Sequence, residues 1–286
     1  MNMIRQAATV TEPAASGATT PIVVAINAVR RSGATLELAT AFASSIGADL
    51  DVVFVEDANL LRLADLPVSR EIDRISGTAR DLDSQRMLRA LHGEVRQLRR
   101  QLSRSDRITS VRATLRVVRG DYLTEALAAS ASVNVTFVHG GRRPLPGGHL
   151  PPAPLRQTAS GAKHGAARRA GGRTTLWTLF DGSPASARAL KVAVKLAHTL
   201  AGSLKVLVSG CTAKAIDNRK REARIAADRA DLQCLAMAGD RLSQLGGALG
   251  PGAGSLLVLA RESPDLEDAA AQSYLESLSV PVVLVT

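Results

Sequence analysis

Short apolar runs alternate with amphipathic stretches along this chain, and the alternation is played twice. Residues 22–26 are a β-branched run that follows Pro21. In residues 33–47, Leu36, Ala39, Ala43 and Ile46 recur every three or four positions, which predicts a helix with one apolar stripe, ended by Gly47. Residues 50–55 read as a second strand. A strand, a helix and a strand within about 35 residues form a βαβ unit with parallel strands and a right-handed crossover. Residues 56–110 read as helical and charged, with arginines interleaved among Leu, Ile and Val. Strands at 113–118 and 135–138 flank a helix over about 122–131. A second series follows: strand 175–180, helix 185–201, strand 204–208, helix 216–230, strand 232–237, helix 240–248, strand 255–260, helix 265–278 and strand 280–285.

The second series copies the first. Residues 22–55 align without a gap on residues 176–209. Ser32, Leu36, Ala39, Ala43, Leu50 and Val52 return as Ser186, Leu190, Ala193, Ala197, Leu204 and Val206. Gly120-Asp121 matches Gly239-Asp240 in a second repeated block. Alternating strands and helices with near-continuous apolar strands predict an α/β fold of two tandem doubly wound parallel-sheet domains. The domains are expected at 21–139, with a helical insertion at 56–110, and at 174–286. A lead-in at 1–20 without an apolar core reads as disordered rather than as a secretion signal. Only the second copy has a fifth strand. That Val-rich strand is expected to pair with the other domain or with another copy of the chain, as a homodimer through 280–285.

Ligands of doubly wound sheets sit outside the carboxyl ends of the strands, where strand order reverses. With the first strand central, the crevices fall between strands one and four of each copy. Asn27–Arg30 and 139–143 would wall one, and Asp181–Ser183 with 261–264 the other.

Charge changes the picture in one place. The net charge is +10, and residues 140–173 supply seven of the cations and no acid: Arg142, Arg143, Arg156, Lys163, Arg168, Arg169 and Arg173. This Gly/Pro-rich stretch is expected to be a solvated tether. The sharper alternative is an arm for nucleic acid or an anionic surface. Aromatic residues make up 2 % of the chain, too few to stack bases, so nucleic acid is not the expected partner. The arginines at 96, 99, 100, 104 and 107 of the insertion lie opposite Leu91, Val95, Leu98 and Leu102, an amphipathic helix whose outer face offers a surface to an unknown protein partner. Two cysteines, Cys211 and Cys234, form no disulfide framework and fit a reducing, cytoplasmic setting. No apolar run reaches the length of a membrane span.

Asp181-Gly182-Ser183-Pro184 after an apolar strand, the helix that follows, and the block from Gly239 to the closing VPVVLVT resemble a universal stress protein domain. The first copy resembles it through IVVAIN, LDVVFVED, RVVRGD and VTFVHG. The resemblance implies a tandem, Rossmann-like, stress-associated protein. It also implies nucleotide-site positions: Asn27, Asp181, Gly182, Ser183, Val208, Gly239, and Gly140 and Gly141 after the fourth strand. In nucleotide-binding members an Asp after the first strand holds the adenosine, and a glycine-spaced loop after the fourth strand wraps the phosphates with backbone N–H groups. Neither copy keeps both parts. The second has Asp181, but its loop lacks glycine, and Glu262, Asp265, Glu267, Asp268 and Glu276 stand in and just after it. The first has a glycine- and arginine-rich loop without the spacing, and Asn27 in place of the acid. The favoured reading of Asp181-Gly182-Ser183 is a helix start with Pro184 in the first turn.

No catalytic motif stands out. Ser160 and Lys163 have Ser-x-x-Lys spacing but fall within the tether. His92, His139, His149, His164 and His198 show no metal spacing, and His139 reads as a solvated loop residue. The expected function is a non-catalytic, stress-associated binding or regulatory protein with no cofactor and no metal. Two alternatives remain open: an ATP/AMP sensor or weak nucleotidase, and nucleic-acid or anionic-surface binding through the basic tether.

Overall fold

The computed structural model describes residues 20–28, 33–67, 69–72, 77–131, 133–139, 174–210, 212–237, 255–263 and 280–286, with Leu266, Gln272, Tyr274, Leu275 and Leu278. The expectations for 1–19, for 140–173 with all its cations, for the helix at 240–248 and for most of 265–278 lie outside these residues. So do Gly140, Gly141, Gly239 and Cys211.

In the first copy, β1 (Ile22–Asn27) is followed by α1 (Gly33–Ile46) and β2 (Leu50–Asp57). Then come α2 (Ala58–Ala64), β3 (Arg70–Ile72), β4 (Ala79–Asp81) and α3 (Ser84–Thr109). The copy closes with β5 (Ala113–Gly120), α4 (Tyr122–Ser130) and β6 (Val135–His139). The second runs β7 (Thr175–Phe180), α5 (Pro184–Thr199), β8 (Ser203–Ser209), α6 (Ala213–Ala227), β9 (Gln233–Met237), β10 (Ser255–Ala260) and β11 (Pro281–Val285). The insertion is not helical throughout. Two three-residue strands, β3 and β4, pair antiparallel as a small separate sheet between α2 and α3. They are too short to show a period-two pattern, and β4 is fully exposed.

The two copies share one sheet. The strand order is β5-β2-β1-β6-β11-β10-β7-β8-β9. Every neighbouring pair is parallel except β6 and β11, which run antiparallel from Pro281↔His139 to Val285↔Val135. The fifth strand of the second copy has therefore taken the first of its two expected partners. Both its edges are used inside the chain, by β10 and by β6. Through these pairings β11 joins the two halves of one molecule.

Alternate strand residues enter two cores, one on each face of the sheet. Ile22, Val24 and Ile26 pack with α1, α3, α5 and α6. Val23 and Ala25 pack with α4 and with Leu266, Leu275 and Leu278. Among the described residues the identities shared by the copies are core positions: Ala39, Ala43, Val52, Leu190, Ala193 and Val206 are all within 1 % of full burial. The repeat persists in sequence where packing density leaves no room for another side chain. Helix α3 joins this core through Leu91, Val95, Leu98 and Leu102. Asp83 caps its start by accepting from the Gln85 N–H at 3.0 Å, and Ser110 ends it in the left-handed region at φ 56°.

Candidate functional site

In each half the first strand lies beside the fourth, β1 against β6 and β7 against β10, as the crevice reading requires. Because the seam is antiparallel, the two crevices open at opposite ends of the sheet.

The first crevice is walled by Asn27, the last residue of β1, and His139, the last of β6. Asn27 is 4 % exposed. His139 is not the solvated loop residue expected from sequence. Its backbone N–H donates to the Tyr122 hydroxyl at 3.0 Å, and that hydroxyl donates to the Ala25 carbonyl at 2.9 Å. The His139 Nδ1 lies 3.1 Å from Thr35 Oγ1. Tyr122 thus ties together the ends of β1 and β6. It is held there because it opens α4, whose N-cap Asp121 accepts from the Thr124 N–H at 3.0 Å. A cavity of about 200 Å³ lies beside Asn27, and Gly33, Phe54, Glu94, Gln97 and Gln101 line it. Its polar wall comes from one flank of α3. Glu94, Gln97 and Gln101 sit three to four residues apart, so they share that flank. Drug-sized ligands occupy roughly 300–1,000 Å³. This cavity is smaller, and among the described residues its lining carries a carboxylate and amides and no cation to meet a phosphate.

In the second crevice Asp181 follows β7. Its Oδ1 accepts the Ser183 N–H at 2.8 Å, across Gly182 at φ +86°. Ser183 then caps α5, accepting from the Ser186 N–H at 3.1 Å, with Pro184 in the first turn. The helix-start reading of this motif is the one realised. Burial pushes the Asp181 carboxyl up, but hydrogen bonds from the Ser183 side chain and backbone and from Ser186 outweigh it, so the group is held below its ordinary range. Arg188 of α5 reaches across to Glu262, just past β10, at 2.8 Å. One of the acids expected to repel phosphate is thus engaged with a neighbouring cation. Arg219 of α6 donates to the Ser209 carbonyl at the end of β8. Val208 is wholly buried in the core.

Sequence reading missed Tyr122, Thr35 and Arg188. Each acts through a contact of long sequence separation, which no spacing reveals. It also missed Glu56, which is 6 % exposed at the end of β2 and receives both Nε and Nη2 of Arg119, at 3.2 and 2.9 Å. Among the described residues no group of three or more His, Cys, Asp or Glu is placed to hold a metal ion. No described helix is long and apolar enough to cross a membrane.

The chain is similar in structure to universal stress proteins. A universal stress protein from Archaeoglobus fulgidus matches with a TM-score of 0.48 and 11 % identity, over 93 % of this chain and 96 % of that one. A putative universal stress protein from Pseudomonas aeruginosa matches at 0.45 and 12 %, over 93 % of each. A universal stress protein solved in complex with cAMP matches at 0.32 and 21 %, over 40 % of this chain and 96 % of its own. No protein-family model matches the chain, and no curated protein does.

Proposed function

We propose that this chain is a non-catalytic binding and regulatory protein of the universal stress type, which acts through a macromolecular partner and not through ATP. The observation that carries this reading is the commitment of Asp181. Its carboxylate faces the Ser183 N–H at 2.8 Å and is held charged by the helix start it organises. That bond engages one of its two oxygens in the start of α5. The first crevice supports the same reading, because among the described residues its cavity of about 200 Å³ is small for a nucleotide and carries the Glu94 carboxylate, with Gln97 and Gln101, on its wall.

The test is isothermal titration with ATP and with AMP, together with a phosphate-release assay on the full chain. Silence in both supports the reading. Micromolar affinity or turnover would replace it with the second reading, a nucleotide sensor or weak nucleotidase. That second reading draws on one observation: His139, at the first crevice, is followed directly by Gly140, Gly141, Arg142 and Arg143. The proposed setting is the reducing cytoplasm, on the strength of the two unpatterned cysteines.

A further inference from the structure

We infer that the outer face of α3 is a docking ridge for the phosphate backbone of double-stranded nucleic acid, bound without sequence preference. The inference deepens the proposed function and rests on it, since it names the surface and the chemistry of the partner.

Helix α3 is anchored by Leu91, Val95, Leu98 and Leu102, so the opposite face must look outward. On that face Arg86, Arg89, Arg96, Arg99, Arg100 and Arg104 are all exposed. At 1.5 Å per residue, Arg86 to Arg104 spans about 27 Å, the axial rise of roughly eight base pairs. An open groove along this face is lined by Gly93, Arg96, Arg99, Arg100, Ser103 and Arg104.

Several exposed arginines elsewhere in the molecule are neutralised at home. Arg116 meets Asp51 at 3.0 Å, Arg188 meets Glu262 at 2.8 Å and Arg229 meets Asp231 at 2.9 Å. Arg96, Arg99, Arg100 and Arg104 make no ion pair among the described residues. Glu94, the acid within this stretch, faces the first cavity from another flank. Four uncompensated guanidinium groups on two turns of rigid helix repel one another, and a multivalent anion relieves that repulsion.

Three observations select the duplex among polyanions. The cations of α3 are all arginine, whose planar fork meets phosphate bidentately. The exposed face has no aromatic residue, so it lacks the stacking platform on which single strands depend. The apolar stripe of α3 is already inside the core, so this face offers no hydrophobic anchor to a protein partner or to the acyl region of a lipid surface.

The experiment is fluorescence anisotropy of a labelled 20-base-pair DNA duplex with the full chain at 50 and 200 mM salt. Neutralising four phosphates gives a log–log slope near −3.6, so the fourfold rise in salt should weaken binding by about 150-fold. Replacing Arg96, Arg99, Arg100 and Arg104 together by Gln, with 140–173 intact, should flatten the slope by about 3.6 and abolish most of the affinity. The corresponding Lys variant should keep most of the affinity, which separates charge from fold damage. The inference is overturned if wild type does not bind the duplex, if the Gln variant binds it unchanged, or if the Lys variant is as weak as the Gln variant. It is equally overturned if phosphatidylserine vesicles, polyglutamate or single-stranded DNA bind more tightly than the duplex. None of these outcomes depends on ATP, so the nucleotide titration judges the parent reading separately.

Discussion

Arg261 should couple the two halves of the molecule. It follows β10 in the second half, and its side chain crosses the seam to the end of α4 in the first. Its Nε donates to Ser130 Oγ at 2.7 Å and its Nη2 to the Leu127 carbonyl at 3.4 Å. Both acceptors belong to the last turn of α4, where the Leu127 carbonyl also accepts the Ser130 hydroxyl at 2.6 Å and the dipole favours a cation. A charge-assisted hydrogen bond contributes about 1.5–3 kcal/mol, and the terminal dipole about 0.3–1. The guanidinium is partly exposed and the second contact is long, so Arg261→Ala should cost about 2 kcal/mol. A double-mutant cycle with Ser130→Ala should return a coupling of about 1–1.5 kcal/mol.

The assay is urea unfolding followed by two probes. Trp177, the single tryptophan, is buried in β7 and reports the second half, whereas far-ultraviolet circular dichroism reports both. A continuous sheet predicts coincident transitions in wild type. A coupling below about 0.3 kcal/mol, or tryptophan and dichroism midpoints that separate in wild type, would refute the claim that the seam is a cooperative contact.

Phe137→Ala should cost about 3–5 kcal/mol in the same assay, because Phe137 is fully buried, faces Val283 across the seam and packs 6.3 Å from the Phe42 ring. Two glycines should behave oppositely. Gly202→Ala should cost roughly 1–3 kcal/mol, since its Cβ would lie 2.6 Å from the Thr174 carbonyl oxygen; Gly93→Ala, with nothing within 4 Å, should stabilise α3 by about 0.5–1 kcal/mol, both read as shifts in the urea midpoint. The Asp181 carboxyl is held lower in the folded than in the unfolded state. Its contribution is therefore complete above the unfolded value and is lost as pH falls through the folded one. Stability curves below about pH 4 should accordingly be steeper for wild type than for Asp181→Asn, and parallel limbs would show that the Ser183 contacts contribute nothing.

The order of elements was legible because it depends on local periodicity. The stripe of Leu36, Ala39 and Ala43 and its echo in Leu190, Ala193 and Ala197 announce two βαβ units, and the helix start at Ser183-Pro184 is written in residue types alone. The amphipathic run of α3 likewise told which side would face the core and which would carry the arginines. The short hairpin of β3 and β4 was illegible, because three residues hold no period.

Contacts between residues distant in the chain were illegible for a different reason. Tyr122 reaching Ala25 and His139, Arg188 reaching Glu262 and Arg261 reaching Ser130 each depend on where helices come to rest on the sheet. The largest such decision is the seam. A Val-rich strand with an open edge must pair, but its alternating apolar side chains suit an antiparallel neighbour in the same chain as well as one in another copy. The chain's own order therefore settles how many sheets are possible and where their crevices lie. The packing of β11 against β6 settles that there is one sheet, with its two crevices at opposite ends.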